Sequence, residues 1–450
     1  MTMRFFIFSM VTAALCAASD SLADTTAFIN VNVIPMSTET VLEEQTVIVE
    51  NGIIQLIGDV DRVAIPEEAQ AVDGTDRFLI PGLAEMHAHV PDAGSGELER
   101  YLTLFVANGV TTIRGMLGRP SHLELRRKLL DGEVLGPRLV TSGPSLNGRS
   151  VSGEADARRQ VREQAAAGYD FIKVHPGLSG EEFTALAETA NELGIPFAGH
   201  VPVAAGVATA LELGMASIDH LDGYLVALLP PDSYRSGGYG GFFDVMLAQE
   251  IEAEKIGDVA AATAAAGTWN VPTQVLIEQL VDSTSVEDLR LRPEMKYMPP
   301  ETVENWVAAK NRQLAERGFN ANTAALAVSL RRRLILALHE AGAGLLLGSD
   351  APQVFNVPGF SLHRELDVLV QSGLTPFEAL ATGTTAVAEF LGTNTGTVAV
   401  GKSADLLLLD ANPLEDIRNS RRIHGVMLRG QWLSAKRLDE MLAAYATGIP

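Results

Sequence analysis

Pro81-Gly82-Leu83-Ala84-Glu85-Met86-His87-Ala88-His89 reads as a short buried strand that ends on two histidines. Residues two apart in a strand share a face, so His87 and His89 point the same way. The layout recurs in Ile195-Pro196-Phe197-Ala198-Gly199-His200 and Ala216-Ser217-Ile218-Asp219-His220. It recurs again in Leu345-Leu346-Leu347-Gly348-Ser349-Asp350. Strand-like runs end at His89, Met116, Gly143, His175, Val201, Leu221, Leu276 and Ser349. Helical periods separate them, as over 181–193 and 204–213. Eight strands alternating with helices predict an α/β chain whose residues 81–395 form a (β/α)8 TIM barrel. An open doubly wound sheet would need a glycine-rich turn after its first strand, and that turn is absent from the sequence. Barrel sites lie at the C-terminal strand ends, where His87, His89, His200, His220 and Asp350 would converge.

Outside this core, β-branched runs at 27–31 and 46–50, with an Asn51-Gly52 hairpin turn, predict strands near the N-terminus. Leu406 to Leu409 and 426–433 predict strands near the C-terminus. Neither end has a partner of its own, so residues 24–80 and 396–436 are expected to pair into a small split β-sandwich. Residues 277–324 are too long for a simple connection and read as a helical insertion. Residues 437–450 read as a C-terminal helix or tail. Ser236-Gly237-Gly238-Tyr239-Gly240-Gly241 reads either as a hinge or as a passive linker. Gly396-Thr397-Val398-Ala399-Val400-Gly401-Lys402-Ser403 matches a phosphate-binding loop letter for letter. It is set aside because a strand, not a helix, is expected to follow.

The first 23 residues read as an address. Arg4 precedes an apolar run over 5–18, and Ser21 and Ala23 put small residues before Asp24. This is the pattern of a cleavable signal peptide, too short for a stable membrane span, and it predicts a periplasmic or secreted protein. The single cysteine, Cys16, lies inside it, so the mature chain would carry no thiol. The 34 basic and 56 acidic side chains leave a net charge of −22, which excludes a general nucleic-acid or membrane-surface binder. The composition, 47% hydrophobic and 20% charged, is that of a globular chain. A homo-oligomer is compatible with it.

Lys173 stands inside Phe171-Ile172-Lys173-Val174-His175, an apolar strand in which an unpaired ammonium is costly. It is either paired with an acid or converted by CO2 to a carbamate, an anion able to bridge two cations. His175 shares its face and reads as a substrate-binding residue or as a neighbour of the site. His122, His339, His363 and His424 lie on helical or surface stretches and are expected to be solvated.

With these residues in place, the chain resembles the amidohydrolase superfamily of binuclear type. The resemblance runs from Pro81-Gly82-Leu83 and the His-x-His through Gly109-Val110-Thr111-Thr112-Ile113-Arg114 and Gly348-Ser349-Asp350. It continues through Leu374-Thr375-Pro376-Phe377-Glu378-Ala379-Leu380 to Gly401-Lys402-Ser403-Ala404-Asp405-Leu406. It is most similar to the branch of Xaa-Pro dipeptidases and imidazolonepropionase-like proteins. The resemblance implies that His87, His89 and Asp350 hold one divalent ion and that His200 and His220 hold a second. Carbamylated Lys173 would bridge the two. Zinc is the expected ion; manganese or iron also suits the donors. A hydroxide shared by the ions would attack a carbonyl while Asp350 moves its proton.

The implied reaction is hydrolysis of a C–N amide bond in a dipeptide of the Xaa-Pro type or an N-acyl amino acid. Hydrolysis of a cyclic amide or lactone is the enzymatic alternative. A non-catalytic periplasmic metal- or ligand-binding protein is the alternative of another class. Arg114 and Tyr224 are the candidates for binding a substrate carboxylate. Two stretches depart from the branch: Leu221-Asp222-Gly223 after His220, and Val174-His175-Pro176-Gly177-Leu178-Ser179 after Lys173.

Overall fold

The computed structural model describes residues 25–230, 233 and 240–447. The expected leader, with Cys16, and residues 236–239 of the glycine-rich loop lie outside the described residues. Among the described residues, no helix is long and apolar enough to cross a membrane.

The two ends of the chain meet in one eight-stranded mixed sheet. Phe78–Pro81 pairs antiparallel with Leu406–Leu409, Ile80 opposite Leu407. Thr25–Val33, Leu42–Glu50 and Ile53–Asp59 extend the sheet on one side, and Ile423–Leu428 and Gln431–Ser434 on the other. The four consecutive leucines explain the join, because alternate side chains leave a strand on opposite faces. Leu406 and Leu408 enter a core with Phe28, Val31, Val47 and Met427. Leu407 and Leu409 enter the main core of the molecule. Both faces are covered, which is why the strand is apolar throughout. The two ends pair as expected, their strands joined in one hydrogen-bonded path. The chain after Lys402 runs into Leu406–Leu409, without the helix a phosphate loop requires.

Between these ends, parallel strands form a sheet of three and a sheet of four. The first contains Leu83–Ala88, Val110–Gly115 and Arg138–Thr141. The second contains Ile172–Val174, Phe197–Gly199, Ser217–Asp219 and Trp269–Val271. Among the described residues, the strand pairing does not close into the single eight-stranded sheet expected from the sequence. Beyond Thr141, pairing between the two sheets falls to isolated bridges, Ser142 with Phe171 and Leu146 with Val174. Pro144, which has no N–H to give, lies between them. The expected eighth strand is likewise held by bridges, Leu345 to Asn270 and Ala351 to Ala88. Backbone bonds of 2.8 Å tie Leu346 to Asn270 and Met86 to Leu347.

The seventh strand also differs from expectation. It stops at Val271, not Leu276, and Gln274–Val281 is a helix. Pro272 cannot extend the ladder, and Thr273 takes a left-handed φ of 45°. The apolar Val275 and Leu276 belong to the helix. Helices Val286–Arg290 and Pro300–Ala315 follow. Leu289, Met295, Met298 and Trp306 pack on Tyr101 and on Phe355 and Val357, in the segment just past Asp350.

Two of the histidines expected to be solvated are buried instead. His122 bonds to Pro91 O at 3.0 Å, and His363 lies between Ser420 Oγ at 2.9 Å and Asn108 O at 3.0 Å. Hydrogen bonds at the ring replace water, and burial pushes His363 down to about 4. His339 and His424 are half-buried and face Glu378 and Asp410.

Candidate metal centre

The strand ends bring His87, His220 and Asp350 together, with one ligand atom of each within 4.8 Å of the others. His89 Nε2 lies 3.0 Å from Asp350 Oδ1, His87 Nε2 3.6 Å from the same oxygen, and His220 Nδ1 3.7 Å from Oδ2. The His200 ring lies 4.7 Å from that of His220. His200 Nδ1 donates to Asp222 Oδ2 at 3.1 Å, which leaves its other nitrogen free and fixes the tautomer.

Strand alternation alone does not produce this arrangement. His220 (φ 63°), Leu221 (φ 50°) and Asp350 (φ 61°) all adopt left-handed backbone where their strands end. Such residues cost about 1–3 kcal/mol each and persist where surrounding structure holds them. The turn at His220 lets Asp219 and His220, neighbours that a strand would direct to opposite faces, reach one site. Glu85 fixes the other edge: its carboxylate accepts from His87 N at 3.0 Å and from Ser349 N and Oγ. The strand bearing His87 and the segment bearing Asp350 are thereby clamped in register. Burial raises the Glu85 carboxyl to about 8.

Lys173 is buried, with Nζ 3.7 Å from Asp219 Oδ2. Burial lowers its pKa against the opposing pull of Asp219. Gly199 makes the room it occupies. A Cβ there would lie 2.8 Å from Lys173 Cδ and 2.5 Å from Val174 O, at a φ of +124°. Gly199→Ala is therefore expected to destabilise the fold by about 1–3 kcal/mol and to displace Lys173. Denaturant unfolding and the metal content of the purified variant would register the two effects.

Asp219 is an acidic residue of the centre that sequence reasoning did not name, as are Glu85 and Asp222. Asp219 is fully buried, 2.9 Å from His87 Nδ1, and bound to Arg114 at 3.1 Å. Burial pushes its carboxyl up, but Arg114, Lys173 and His220 outweigh that and hold it below the usual range. Burial, with Lys173 adding to it, drives His87 well down; burial and His87 do the same to His220. Both imidazoles are thus neutral and able to offer a lone pair.

The donor set fits divalent cations. His87 Nδ1, Lys173 Nζ, Asp219 Oδ2 and Asp350 Oδ1 are all buried without a hydrogen-bond partner. His87 Nδ1 and Asp219 Oδ2 are close, yet they are not aligned for a hydrogen bond. A cation would satisfy the imidazole and carboxylate atoms of this group, and the Lys173 nitrogen joins them only once it has lost its proton.

Two expected substrate contacts are committed elsewhere. Arg114 is buried and donates to Met86 O at 2.7 Å, Ser217 Oγ at 3.0 Å and Asp219 Oδ1. Releasing it to meet a substrate would strand the Asp219 carboxylate, a loss of about 3–5 kcal/mol. The Tyr224 hydroxyl is buried, donating to Asn270 Oδ1 at 2.8 Å and lying 3.1 Å from Thr263 Oγ1. The sequence identified the right chemistry at these positions but could not show that it faces protein. His175 is half-buried and stacks on His200 at 4.8 Å.

Residues 78–433 match the amidohydrolase family. The chain belongs to the amidohydrolase family. It is similar to ochratoxinase of Aspergillus niger, 23% identical, covering 84% of this chain and 79% of the relative. Among solved structures it resembles bottromycin amidohydrolase, with a TM-score of 0.73, 25% identity and coverage of 95% and 92% of the two chains. It also resembles a putative prolidase from Bifidobacterium longum, with a TM-score of 0.68, 24% identity and coverage of 94% and 99%. Membership makes the protein a metal-dependent amidohydrolase that hydrolyses amide bonds, and sets aside the non-catalytic alternative.

Proposed function

We propose that this amidohydrolase cleaves the amide bond of an N-acyl amino acid or dipeptide with two divalent cations, zinc the expected ion. Asp350 carries the reading: a buried carboxylate facing three imidazoles, with one oxygen left without a hydrogen bond. His87, His89 and Asp350 would hold one cation, His200 and His220 the second, and Lys173 as a carbamate would bridge them. The cations supply Lewis-acid polarisation of the scissile carbonyl and lower the pKa of water. Asp350 takes the proton from the attacking water and returns it to the departing amine nitrogen. Asp222 holds the His200 ring, and Arg114 holds Asp219 beside His87 and Lys173. The two parallel sheets and the bridged segment at 345–351 support a barrel-like ring around this centre. The prolidase and a Xaa-Pro dipeptidase among the similar structures support a substrate with a free carboxylate.

With Arg114 and Tyr224 committed, Arg149 is our candidate for binding that carboxylate. It is exposed and unpaired among the described residues, and with Asn147 and His175 it lines a cavity of about 460 Å³ beside the His175–His200 stack. Substrates paired as free acid and carboxamide test the reading in zinc-loaded protein. Arg149→Met is expected to raise KM about 10- to 100-fold for the acid and to leave the carboxamide little changed. Equal effects on both would remove Arg149 from the site.

A further inference from the structure

We propose that Phe243 is the residue that selects substrates by size at the His200–His220 half of the centre. The inference rests on the amide-hydrolase reading of this site and adds the wall that shapes it. The Phe243 ring lies 5.9 Å from that of His200, nearly parallel at 8°, and 4.9 Å from that of His220 at 40°. One flat apolar ring therefore lies against two imidazoles that would hold the cation a substrate carbonyl has to reach.

The placement is imposed by the chain. Within Phe242–Glu250, Phe243 (φ 50°, ψ 41°) and Asp244 (φ 58°, ψ 18°) are consecutive left-handed residues following Gly241 (φ 74°). Side chains disfavour that conformation, so it persists only where the surroundings hold it. The surroundings here are the same helix that sets the ligand. At the N-terminus of Ala321–Glu340, Asn320 N lies 3.3 Å from Met246 Sδ. Further along, Arg331 donates to His220 O at 2.8 Å. The cover and the metal ligand are thus registered to one element.

Phe242 extends the wall outward. Its ring meets Phe243 edge-on at 4.4 Å and lines a cavity of about 450 Å³ of mixed character, with Leu276, Leu280 and Val354 beside Arg312, Glu316 and Gln353. Phe243, in contact with Phe242 on one side and with His200 and His220 on the other, stands between that space and the histidines. A small or flat group on the scissile carbonyl fits beneath the ring, whereas a bulky one collides with it. Shortening Phe243 opens the centre toward the Phe242 side and lets larger acyl groups in.

The test uses zinc-loaded full-length protein, N-acyl amino acids with acyl groups rising from acetyl to naphthoyl, and the variants Phe243→Ala, Phe243→Leu and Phe243→Tyr. In Phe243→Ala the ratio of kcat/KM for the bulkiest acyl group to that for acetyl is expected to rise about tenfold or more. Phe243→Leu should fall between, and Phe243→Tyr should keep the wild-type order. A second readout needs no turnover: pyridine-2,6-dicarboxylate should strip zinc several-fold faster from Phe243→Ala. An unchanged ratio with an unchanged stripping rate overturns the proposal. So does an equal loss on every substrate with lowered zinc content, because Phe243 would then only support the histidines. If the wild type cleaves no amide of the series, the hydrolase reading of these substrates fails, while the stripping rates still decide whether Phe243 covers the centre.

Discussion

Asp350→Asn is expected to lower kcat by about 10³-fold or more while the protein stays folded. The substitution is nearly isosteric, so the backbone at φ 61° and the clamp from Ser349 to Glu85 keep their shape. The chemistry does not survive it. The carboxylate faces His89 at 3.0 Å, His87 at 3.6 Å and His220 at 3.7 Å, and its Oδ1 has no hydrogen-bond partner. An amide replaces one oxygen with an N–H donor that can neither take a proton from water nor pass one to the leaving amine. It also removes a negative charge from a centre that has to balance divalent cations, so metal affinity falls as well. Turnover measured at saturating zinc separates the two losses. If zinc binding is restored and kcat is still within tenfold of wild type, Asp350 is not the proton carrier. The proton path would then have to run through another group, such as Asp219, whose buried carboxylate lies 2.9 Å from the His87 ring.

Where the sequence was legible, the signal was local. His87, His89, His200, His220 and Asp350 each end a short apolar run, and a strand end is enough to place such residues on one rim. The β-branched and leucine runs near the two ends are equally local signals, and because neither end had a partner of its own, their pairing could be expected. What was not legible depends on contacts between distant segments. Asp219 sits next to a named ligand, but strand alternation directs it away, and only the left-handed turn at His220 brings it in. Asp222 lay in a stretch noted as unusual, yet its bond to His200 spans two strand ends. Arg114 and Tyr224 had suitable chemistry for a substrate carboxylate, and burial against Asp219 and Asn270 takes both away. Phe243 left no trace in composition or period, because its importance comes from a backbone turn and a helix some eighty residues on. The strand expected to reach Leu276 failed for a simpler reason: an apolar run does not distinguish a strand from a buried helix, and Pro272 decides between them.

Lys173→Ala is expected to abolish both turnover and stable binding of two cations, and acetate or propionate should restore part of each. Lys173 Nζ is buried, makes no hydrogen bond and lies 3.7 Å from Asp219 Oδ2. An ammonium held there loses several kcal/mol of hydration and gains only one imperfect partner. Burial lowers its pKa and so increases the share of neutral amine. A neutral amine adds CO2 through its nitrogen lone pair, losing a proton to leave a carbamate anion. That anion would stand beside ionised Asp219 and close to Asp350, with neutral imidazoles around it. Three negative charges in a buried space are tolerable only with cations between them, so carbamate formation and metal loading should depend on each other. Native mass spectrometry should find the mass of one CO2 on zinc-loaded protein and not on metal-free protein. In Lys173→Ala, a short carboxylic acid fits the space left by the side chain and returns two oxygens to the same place. Zinc-loaded wild type without the adduct, together with no rescue by acetate or propionate, would mean that Lys173 acts as a buried cation for Asp219 and that the cations are held without a bridge from it.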